Sequence, residues 1–200
     1  MNVKIITISR EFGSGGHSIG KSVAKKLGWK YYDQELVNKI SEESSFAKEF
    51  IETRGEYATT KSDLLYSLFE NFGATTGSQS INDKLYITQA NIIKEIAQGE
   101  PCVIVGRCAN FILRNRDDVL NVFIHADTDF KAERIVELYG ETKDSPEKRL
   151  KDKDGKRAVY YKYYTGEKWG IITNYDLSFN SGKIGIEKCS DIIVSTIKTK

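Results

Sequence analysis

The sequence predicts an α/β fold of three layers, in which a parallel β-sheet is covered by helices on both faces. Short apolar runs rich in β-branched residues, such as Val3 to Ile8, are typical of strands buried on both sides. They alternate along the chain with longer segments whose apolar residues recur at helical spacing. This alternation favours parallel strands, because each helix carries the chain back to the start of the sheet.

The predicted elements follow one another in a regular order. The predicted strands cover residues 3–8, 29–33, 101–106, 119–126 and 175–182. The predicted helices cover residues 17–28, 83–98 and 145–164, a segment from Asp127 onward, and residues 184–199. From Gln34 to about Phe72 the helical pattern is weak and interrupted by charge. We therefore expect the weakly patterned stretches, about 35–80 and 145–172, to form mobile lobes.

The length and composition predict one soluble domain. A chain of 200 residues supports a sizeable core, and 40% hydrophobic with 29% charged residues is an ordinary globular composition. The net charge of +2 creates no strong field, so we expect no nucleic-acid partner. The apolar run near the N-terminus is too short for a membrane span and lacks a signal-peptide cleavage pattern, which predicts a cytoplasmic protein without a membrane partner. The oligomeric state stays open.

The cysteines and histidines do not predict a metal centre. The three cysteines, Cys102, Cys108 and Cys189, match no zinc spacing, and we expect buried free thiols. The two histidines, His17 and His125, are too few for a histidine-rich zinc site.

A glycine-rich segment after the first predicted strand contains two overlapping candidates for a phosphate loop. Gly15 to Ser22 matches the pattern G-x-x-x-x-G-K-[ST], with Lys21 as its lysine. An earlier loop, Gly13 to Ser18, lies closer to the strand but has no lysine at the expected place. A phosphate loop binds an anion with backbone N–H groups between a strand end and a helix start, so the two candidates predict different helix starts.

The hydrophobic pattern favours the earlier loop. A helix that begins near His17 has one continuous apolar stripe at a spacing of four residues: Ile19, Val23 and Leu27. A helix that begins near Lys21 would have only about two turns before Gly28, and it would leave Ile19 in the loop. We therefore predict that Gly13 to Ser18 form the loop and that Gly28 caps the helix.

The segment ISREFGSGGHSIGKSVAKKLGWKYYD resembles the start of bacterial cytidylate kinases and, more closely, of a cytidylate kinase-like family. The resemblance covers the first 33 residues and then about 83–195, and it implies a P-loop kinase core with an acceptor lobe at 35–80 and a lid at 145–172 within one domain, 1–200. It also implies that the loop holds ATP phosphates. The implied phosphate-binding residues are Gly13, Ser14, Gly15, Gly16, His17 and Ser18, and the hydroxyl of Ser18 is the implied Mg²⁺ ligand.

The loop departs from the kinase pattern at one position. Gly16 stands where those kinases have the lysine that reaches the β- and γ-phosphates. A substitute cation is available from His17, Arg10 or Lys21, and the sequence does not choose among them. The missing lysine casts more doubt on catalytic power than on nucleotide binding.

Arg107 directly follows a predicted buried strand, and in an open α/β sheet such strand ends line the ligand crevice. An arginine there can hold a phosphate with two hydrogen bonds, although a salt bridge or a helix cap is the alternative role. Arg107 also matches an arginine that contacts the acceptor phosphate in cytidylate kinases. The carboxylate that precedes the strand-end glycine in those kinases is Val105 here, which is a second departure.

The segment Arg149 to Trp169 mixes basic residues, aspartates and tyrosines. Its residues Lys153, Asp154, Lys156 and Arg157 resemble the kinase lid, which supplies cations to the transferring phosphoryl group. A solvated helix face is the alternative. For the run YYKYY we favour packing against the body over stacking on a base.

Three aspartates are further candidates for substrate binding, and one of them is Asp154 of the lid segment. Asp33 ends the second predicted strand, where a nucleoside monophosphate enters in the related kinases, and its alternative role is the N-cap of the next helix. Asp176 lies in the last predicted strand, and we expect it to face the crevice together with Asn180.

The resemblance implies transfer of the γ-phosphoryl group of ATP to a nucleoside monophosphate, with CMP as the first candidate and Mg²⁺ as cofactor. Arg107, Lys153 and Arg157 are the implied catalytic cations. The unmatched acceptor region leaves open a kinase for another small substrate. The departures at Gly16 and Val105 leave open a nucleotide-binding regulatory protein without turnover.

Overall fold

The computed structural model describes residues 2–43, 48, 51–52, 55–56 and 81–198. In this part of the chain, five parallel strands form one sheet in the order β2-β3-β1-β4-β5. The strands are β1 (Ile5–Arg10), β2 (Lys30–Tyr32), β3 (Cys102–Val105), β4 (Val119–His125) and β5 (Leu177–Asn180). The all-parallel pairing confirms the predicted α/β sheet.

The helices lie between and after the strands. They are α1 (Gly16–Leu27), α2 (Gln34–Glu43), α3 (Ile81–Ile96), α4 (Ala109–Ile112), α5 (Thr128–Tyr139), α6 (Pro146–Thr165), α7 (Ser181–Ile184) and α8 (Ile186–Lys198). A short 3-10 helix, Ile172–Asn174, precedes β5.

The two faces of the sheet are buried by different helices. One core cluster joins the sheet to α1 and α8 and includes Ile6, Ile8, Ile19, Val23 and Ile193. A second cluster joins the opposite face to α2, α3 and α4 and includes Ile5, Leu36, Ile40, Ile93 and Ile104. Alternate residues of β1 therefore point to opposite layers, as a strand buried on both sides requires.

The register brings the carboxyl ends of the strands to one edge of the sheet. Ile8 pairs with Val105, and Arg10 at the end of β1 pairs with Ile124. The chain after β1 continues toward β2 on one side, whereas the chain after β3 crosses to β4 on the other side. Ligands of open α/β sheets bind outside such a reversal of strand order, so this edge is the place to look for a site.

Helix α1 settles which glycine-rich loop lies between strand and helix. The helix begins at Gly16, after Gly15 in a left-handed conformation, and Gly28 caps its C-terminus. Ile19 is fully buried within the helix, and Lys21 also lies inside it. The predicted helix start and C-cap are confirmed, and Gly15 to Ser22 do not form a loop.

Helix α6 packs against the body, and the mobility expected for residues 145–172 stays a prediction. Leu150, Arg157, Tyr160 and Tyr161 of this helix are all buried. Tyr160 and Tyr161 pack with Cys108, and their hydroxyl groups contact Gln89 and Asn110 of the body. The packing interpretation of the tyrosines is therefore confirmed. Most of the expected acceptor lobe, 35–80, lies outside the described residues.

The described residues also bear on two smaller expectations. All three cysteines are buried free thiols, as predicted. None of the helices in the described ranges is long and apolar enough to cross a membrane.

Tyr161→Ala should lower the free energy of unfolding by about 3–5 kcal/mol, because it removes a buried ring from the contact between α6 and the body. Urea unfolding monitored by circular dichroism measures the change. Lys162→Ala, at an exposed position of the same helix, is the control and should change the value by less than about 0.5 kcal/mol. Equal effects of the two substitutions would mean that the tyrosines do not fix α6.

Candidate functional site

The loop between β1 and α1 is tightly folded around two glycines. Gly13 and Gly15 have φ angles of +81° and +79°, which favour glycine. A Cβ on Gly13 would lie 2.8 Å from the carbonyl oxygen of Lys131 in α5. The hydroxyl of Ser14 donates to the carbonyl of Glu11 at 2.8 Å, and the hydroxyl of Ser181 donates to the carbonyl of Ser14 at 2.6 Å. These contacts fix the backbone of the loop.

The loop ends at a helix terminus that suits an anion. The first N–H groups of α1 have no partner within the helix, and its first turn, from Gly16 to Ile19, contains no acidic residue. A cavity of about 380 Å³ opens onto this terminus and is bordered by loop residues together with Arg10, Arg134 and Arg157. Backbone donors and arginines thus surround a space large enough for phosphate groups.

Ser18 and Arg134 meet at the border of this cavity. A guanidinium N–H of Arg134 in α5 donates to the Ser18 hydroxyl at 3.1 Å. Arg134 was not among the candidates predicted from the sequence. Its spacing of three residues from Lys131, which places both cations on one helix face, was the available signal. Lys131 in turn pairs with Glu11 at 2.7 Å and anchors the start of the loop.

A second, much smaller cavity lies at the carboxyl ends of β1 and β3. Its volume is about 20 Å³, and Arg10, Glu56, Arg107 and Arg157 are among its lining residues. Arg10 donates hydrogen bonds from both terminal guanidinium nitrogens to the two carboxylate oxygens of Glu56. The Nε of Arg157 lies 4.0 Å from the same carboxylate. Glu56 therefore fills most of the space among the arginines.

Arg107 reaches this cavity through an unusual turn. Gly106, Arg107 and Cys108 all have positive φ, and for the last two residues this conformation is costly. The turn directs the guanidinium of Arg107 toward the carbonyl of Ile51, at 3.0 Å, and toward Gln89. Its position beside Arg10 agrees with the expected crevice location, and its role in binding stays a prediction.

The charges keep Glu56 ionised despite its burial. Burial raises the pKa of Glu56, but the positive charges of Arg10, Arg157 and Arg107 outweigh that effect and hold the pKa below its ordinary value. The arginines around this cavity thus stabilise a negative charge that is buried among them.

Helix α6 connects the two cavities. Arg157 lines both of them, and its guanidinium donates to Asp154 at 3.1 Å. Asp154 also accepts a hydrogen bond from the backbone N–H of Phe12 at 2.8 Å, so this predicted substrate ligand lies against the glycine loop. Burial raises the pKa of Asp154, although the Phe12 N–H opposes the shift.

Lys153 extends the positive charge along the outer border. Its Nζ lies 5.4 Å from the centre of the Phe12 ring. Desolvation is the main cause that lowers the pKa of Lys153, and the positive charges of Arg157 and Lys156 lower it further. An added anion would relieve the repulsion among these cations.

Asp33 and His17 form a pair at the opposite border of the loop. The Nε2 of His17 lies 2.9 Å from a carboxylate oxygen of Asp33, and the side chain of His17 is 62% exposed. Burial raises the pKa of Asp33, but the hydrogen bond from His17 and the charge of Arg10 bring it below its ordinary value. Lys21 lies one turn further along α1, beside an open groove with Lys25 and Glu187.

Asp176 is not part of this edge, which corrects the expectation that it faces the crevice. It directly precedes β5, at the amino end of the strand, and its carboxylate accepts a hydrogen bond from the backbone N–H of Asn121 at 2.7 Å. The side chain therefore serves the pairing of β4 with β5. Asn180, at the carboxyl end of β5, caps α7 through the N–H of Lys183.

Comparison of the sequence with known protein families identifies the family of the chain. The model of the cytidylate kinase-like family matches residues 5–183. The chain belongs to this family. Its membership confirms the resemblance seen in the glycine-rich segment. No curated protein matches the chain in sequence.

Solved structures show the same fold. An uncharacterized protein from Eubacterium ventriosum is 28% identical, with a TM-score of 0.72 over 98% of this chain and 99% of that chain. A shikimate kinase from Bacteroides thetaiotaomicron is 22% identical, with a TM-score of 0.55 over 97% and 98% of the two chains. A shikimate kinase from Acinetobacter baumannii in complex with shikimate is 14% identical, with a TM-score of 0.56 over 99% and 96%. The fold of the chain is that of the P-loop kinases.

Glu56→Gln should lower the free energy of unfolding by about 3 kcal/mol at neutral pH, because it removes the negative charge from among the arginines. The folded state lowers the pKa of Glu56, so this stabilisation is complete above the ordinary glutamate pKa of about 4.3 and is lost as the pH falls through the folded-state value. Urea unfolding at neutral pH and at about pH 3 should therefore show the difference from the unmodified protein shrinking in acid.

Glu95→Gln is the control, since Glu95 is exposed on α3. Its free energy of unfolding should equal that of the unmodified protein at both pH values. A difference for Glu56→Gln that does not change with pH would contradict the charged state of Glu56 in the folded protein.

Proposed function

We propose that the chain transfers the γ-phosphoryl group of ATP to a small acceptor that carries an anionic group. The observation that carries the proposal is the junction of the two cavities: one borders the glycine loop, the other contains Arg107, and Arg10 and Arg157 line both. Phosphoryl transfer requires a donor and an acceptor held side by side with cations between them. The family and the fold of the chain support the same reaction class.

The larger cavity suits the donor. Its volume of about 380 Å³, the N–H groups at the start of α1 and the guanidinium of Arg134 suit the phosphates of ATP. Tyr139 and Phe12, whose rings stack with centres 5.7 Å apart, lie at the same cavity and offer an apolar border. The loop would hold the phosphates with backbone donors, which need no rearrangement during the reaction.

The smaller cavity suits the anionic group of the acceptor. Its volume of about 20 Å³ is too small for any acceptor while Glu56 remains inside. An incoming phosphate or carboxylate would take the place of the Glu56 carboxylate and supply at least as much negative charge to Arg10, Arg107 and Arg157. The acceptor would then lie with its reacting oxygen toward the glycine loop.

Magnesium would enter with the nucleotide. The Ser18 hydroxyl at the first turn of α1 suits a Mg²⁺ that takes its other ligands from phosphates and water. The described residues contain no group of three histidine, cysteine or acidic side chains that could hold a metal ion by themselves, and Val105 lies in a buried strand where related kinases have a carboxylate. Bound Mg²⁺ would neutralise charge on the β- and γ-phosphates.

CMP is the first candidate for the acceptor, since the family resemblance points to it. A small carboxylic acid is the second candidate, because the group now held by the arginines is a carboxylate. The shikimate kinases of the same fold act on such an acid, although their similarity supports the fold alone.

A coupled assay of ADP release tests the proposal with a panel that contains nucleoside monophosphates and small hydroxy acids. We expect turnover with a member that carries a phosphate or a carboxylate, and none with neutral nucleosides or neutral sugars. Turnover that is limited to neutral acceptors would contradict the anionic-group requirement. ATP binding without turnover of any panel member would favour a regulatory nucleotide-binding protein.

Arg107→Lys should raise the KM for the anionic acceptor by about 10- to 100-fold and change the KM for ATP by less than about 2-fold. Lysine meets the same backbone strain as arginine at this left-handed position, so the substitution isolates the loss of the guanidinium. Arg114→Lys, at an exposed arginine before the amino end of β4, is the matched control. Equal increases in both KM values for Arg107→Lys would contradict an acceptor-side role.

A further inference from the structure

Gly16 and Arg10 compete for one space at the start of α1. Gly16 is buried, and a Cβ added to it would overlap the Cβ of Arg10 and lie 2.8 Å from its Cγ. The Cβ of Arg10 is fixed by the backbone of β1, so rotation of the side chain cannot make room. The stem of Arg10 therefore leaves no room for a side chain at position 16.

The guanidinium at the end of that stem lies where a donor phosphate and an acceptor would meet. It stands beside Gly106 at the carboxyl end of β3 and binds Glu56 there, while Arg10 also borders the cavity of the glycine loop. Position 16 is the place of the loop lysine in the pattern of P-loop kinases. The lysine side chain that P-loop kinases have at position 16 is thus replaced by the side chain of Arg10, which starts from β1.

The other two candidate cations are in less suitable places. His17 also borders the cavity of the glycine loop, but its ring is mostly exposed and is paired with Asp33. Lys21 points to the groove between α1 and Glu187 of α8, one turn away from the loop. Neither residue lines the smaller cavity.

We propose that Arg10 performs the task of the missing loop lysine and contacts the transferring phosphate of ATP. This assignment rests on the proposed function. A guanidinium can hold two phosphate oxygens with parallel hydrogen bonds, as it now holds the two carboxylate oxygens of Glu56. The loop therefore keeps its cation but receives it from β1.

Arg10→Met removes the charge and keeps an unbranched stem over Gly16. Isothermal titration of the full chain should show that its Kd for ATP with Mg²⁺ is raised by about 10- to 100-fold, since charged hydrogen bonds to phosphate are lost. The Kd for AMP, which lacks the β- and γ-phosphates, should change by less than about 2-fold. Arg114→Met loses the same charge at a remote exposed site and should leave both values unchanged.

A double-mutant cycle tests whether Arg10 and a side chain at position 16 exclude each other, and it does not depend on activity. Gly16→Ala should lower the Tm by roughly 5 °C, because the new Cβ collides with Arg10. In an Arg10→Gly background the same substitution should cause no further loss. Adding Gly16→Lys to Arg10→Gly should also recover part of the ATP affinity that Arg10→Gly loses.

The outcomes separate this assignment from the proposed function. If the unmodified protein binds ATP and Arg10→Met binds it equally well, the assignment of Arg10 is overturned and the proposed function stands. If the unmodified protein binds no ATP, both are overturned. Two further results would contradict the replacement of the loop lysine by Arg10. One is an equal fall in Tm for Gly16→Ala in the unmodified protein and in Arg10→Gly, and the other is no recovery of ATP affinity when Gly16→Lys is added to Arg10→Gly.

Discussion

The ion pair between Arg10 and Glu56 is the interaction on which the geometry of the site depends. Arg10, Arg107 and Arg157 converge on one small cavity, and the negative charge of Glu56 offsets part of the repulsion among them. The pair also connects the end of β1 to Glu56, which is distant from β1 in the sequence. The anionic group of an acceptor could replace this carboxylate and supply negative charge to the same arginines.

Crowding around the loop is the second constraint. The backbone of α5 excludes a side chain at Gly13, and the stem of Arg10 excludes one at Gly16. Helix α6 holds both sides of the site, since Asp154 binds the N–H of Phe12 and Tyr160 packs on Cys108 in the strained turn. A movement of α6 would therefore act on both cavities together, which suits a kinase that must bring donor and acceptor into register.

The sequence was sufficient to predict the fold, because β-branched runs and helical stripes reflect burial directly. The start of α1 was predictable for the same reason, from the stripe that Ile19 begins. Glu56 was not predictable, since it lies in a weakly patterned segment and its role comes from arginines that are distant in sequence. The expectation for Asp176 was wrong because the residue lies at the amino end of β5, whereas ligands bind at the carboxyl ends of the strands.

The packing of α6 shows that a count of aliphatic residues underestimates how firmly a segment is attached to the body. Residues 145–172 contain few aliphatic anchors, but tyrosines bury as much apolar surface, and those of α6 attach it to the body. Which of His17, Arg10 and Lys21 replaces the loop lysine could likewise not be predicted from the sequence, because it depends on the space above Gly16. Spatial exclusion of this kind leaves no periodic pattern in the chain.

A crystal structure with Mg²⁺ and a non-hydrolysable ATP analogue would show which residues bind the phosphates. We expect the phosphates to lie on the backbone N–H groups of Gly13 to Ser18, with the terminal phosphate beside the guanidinium of Arg10. Phosphates bound instead along Lys21 and Ser22, with Arg10 still paired to Glu56 and apart from them, would contradict this expectation.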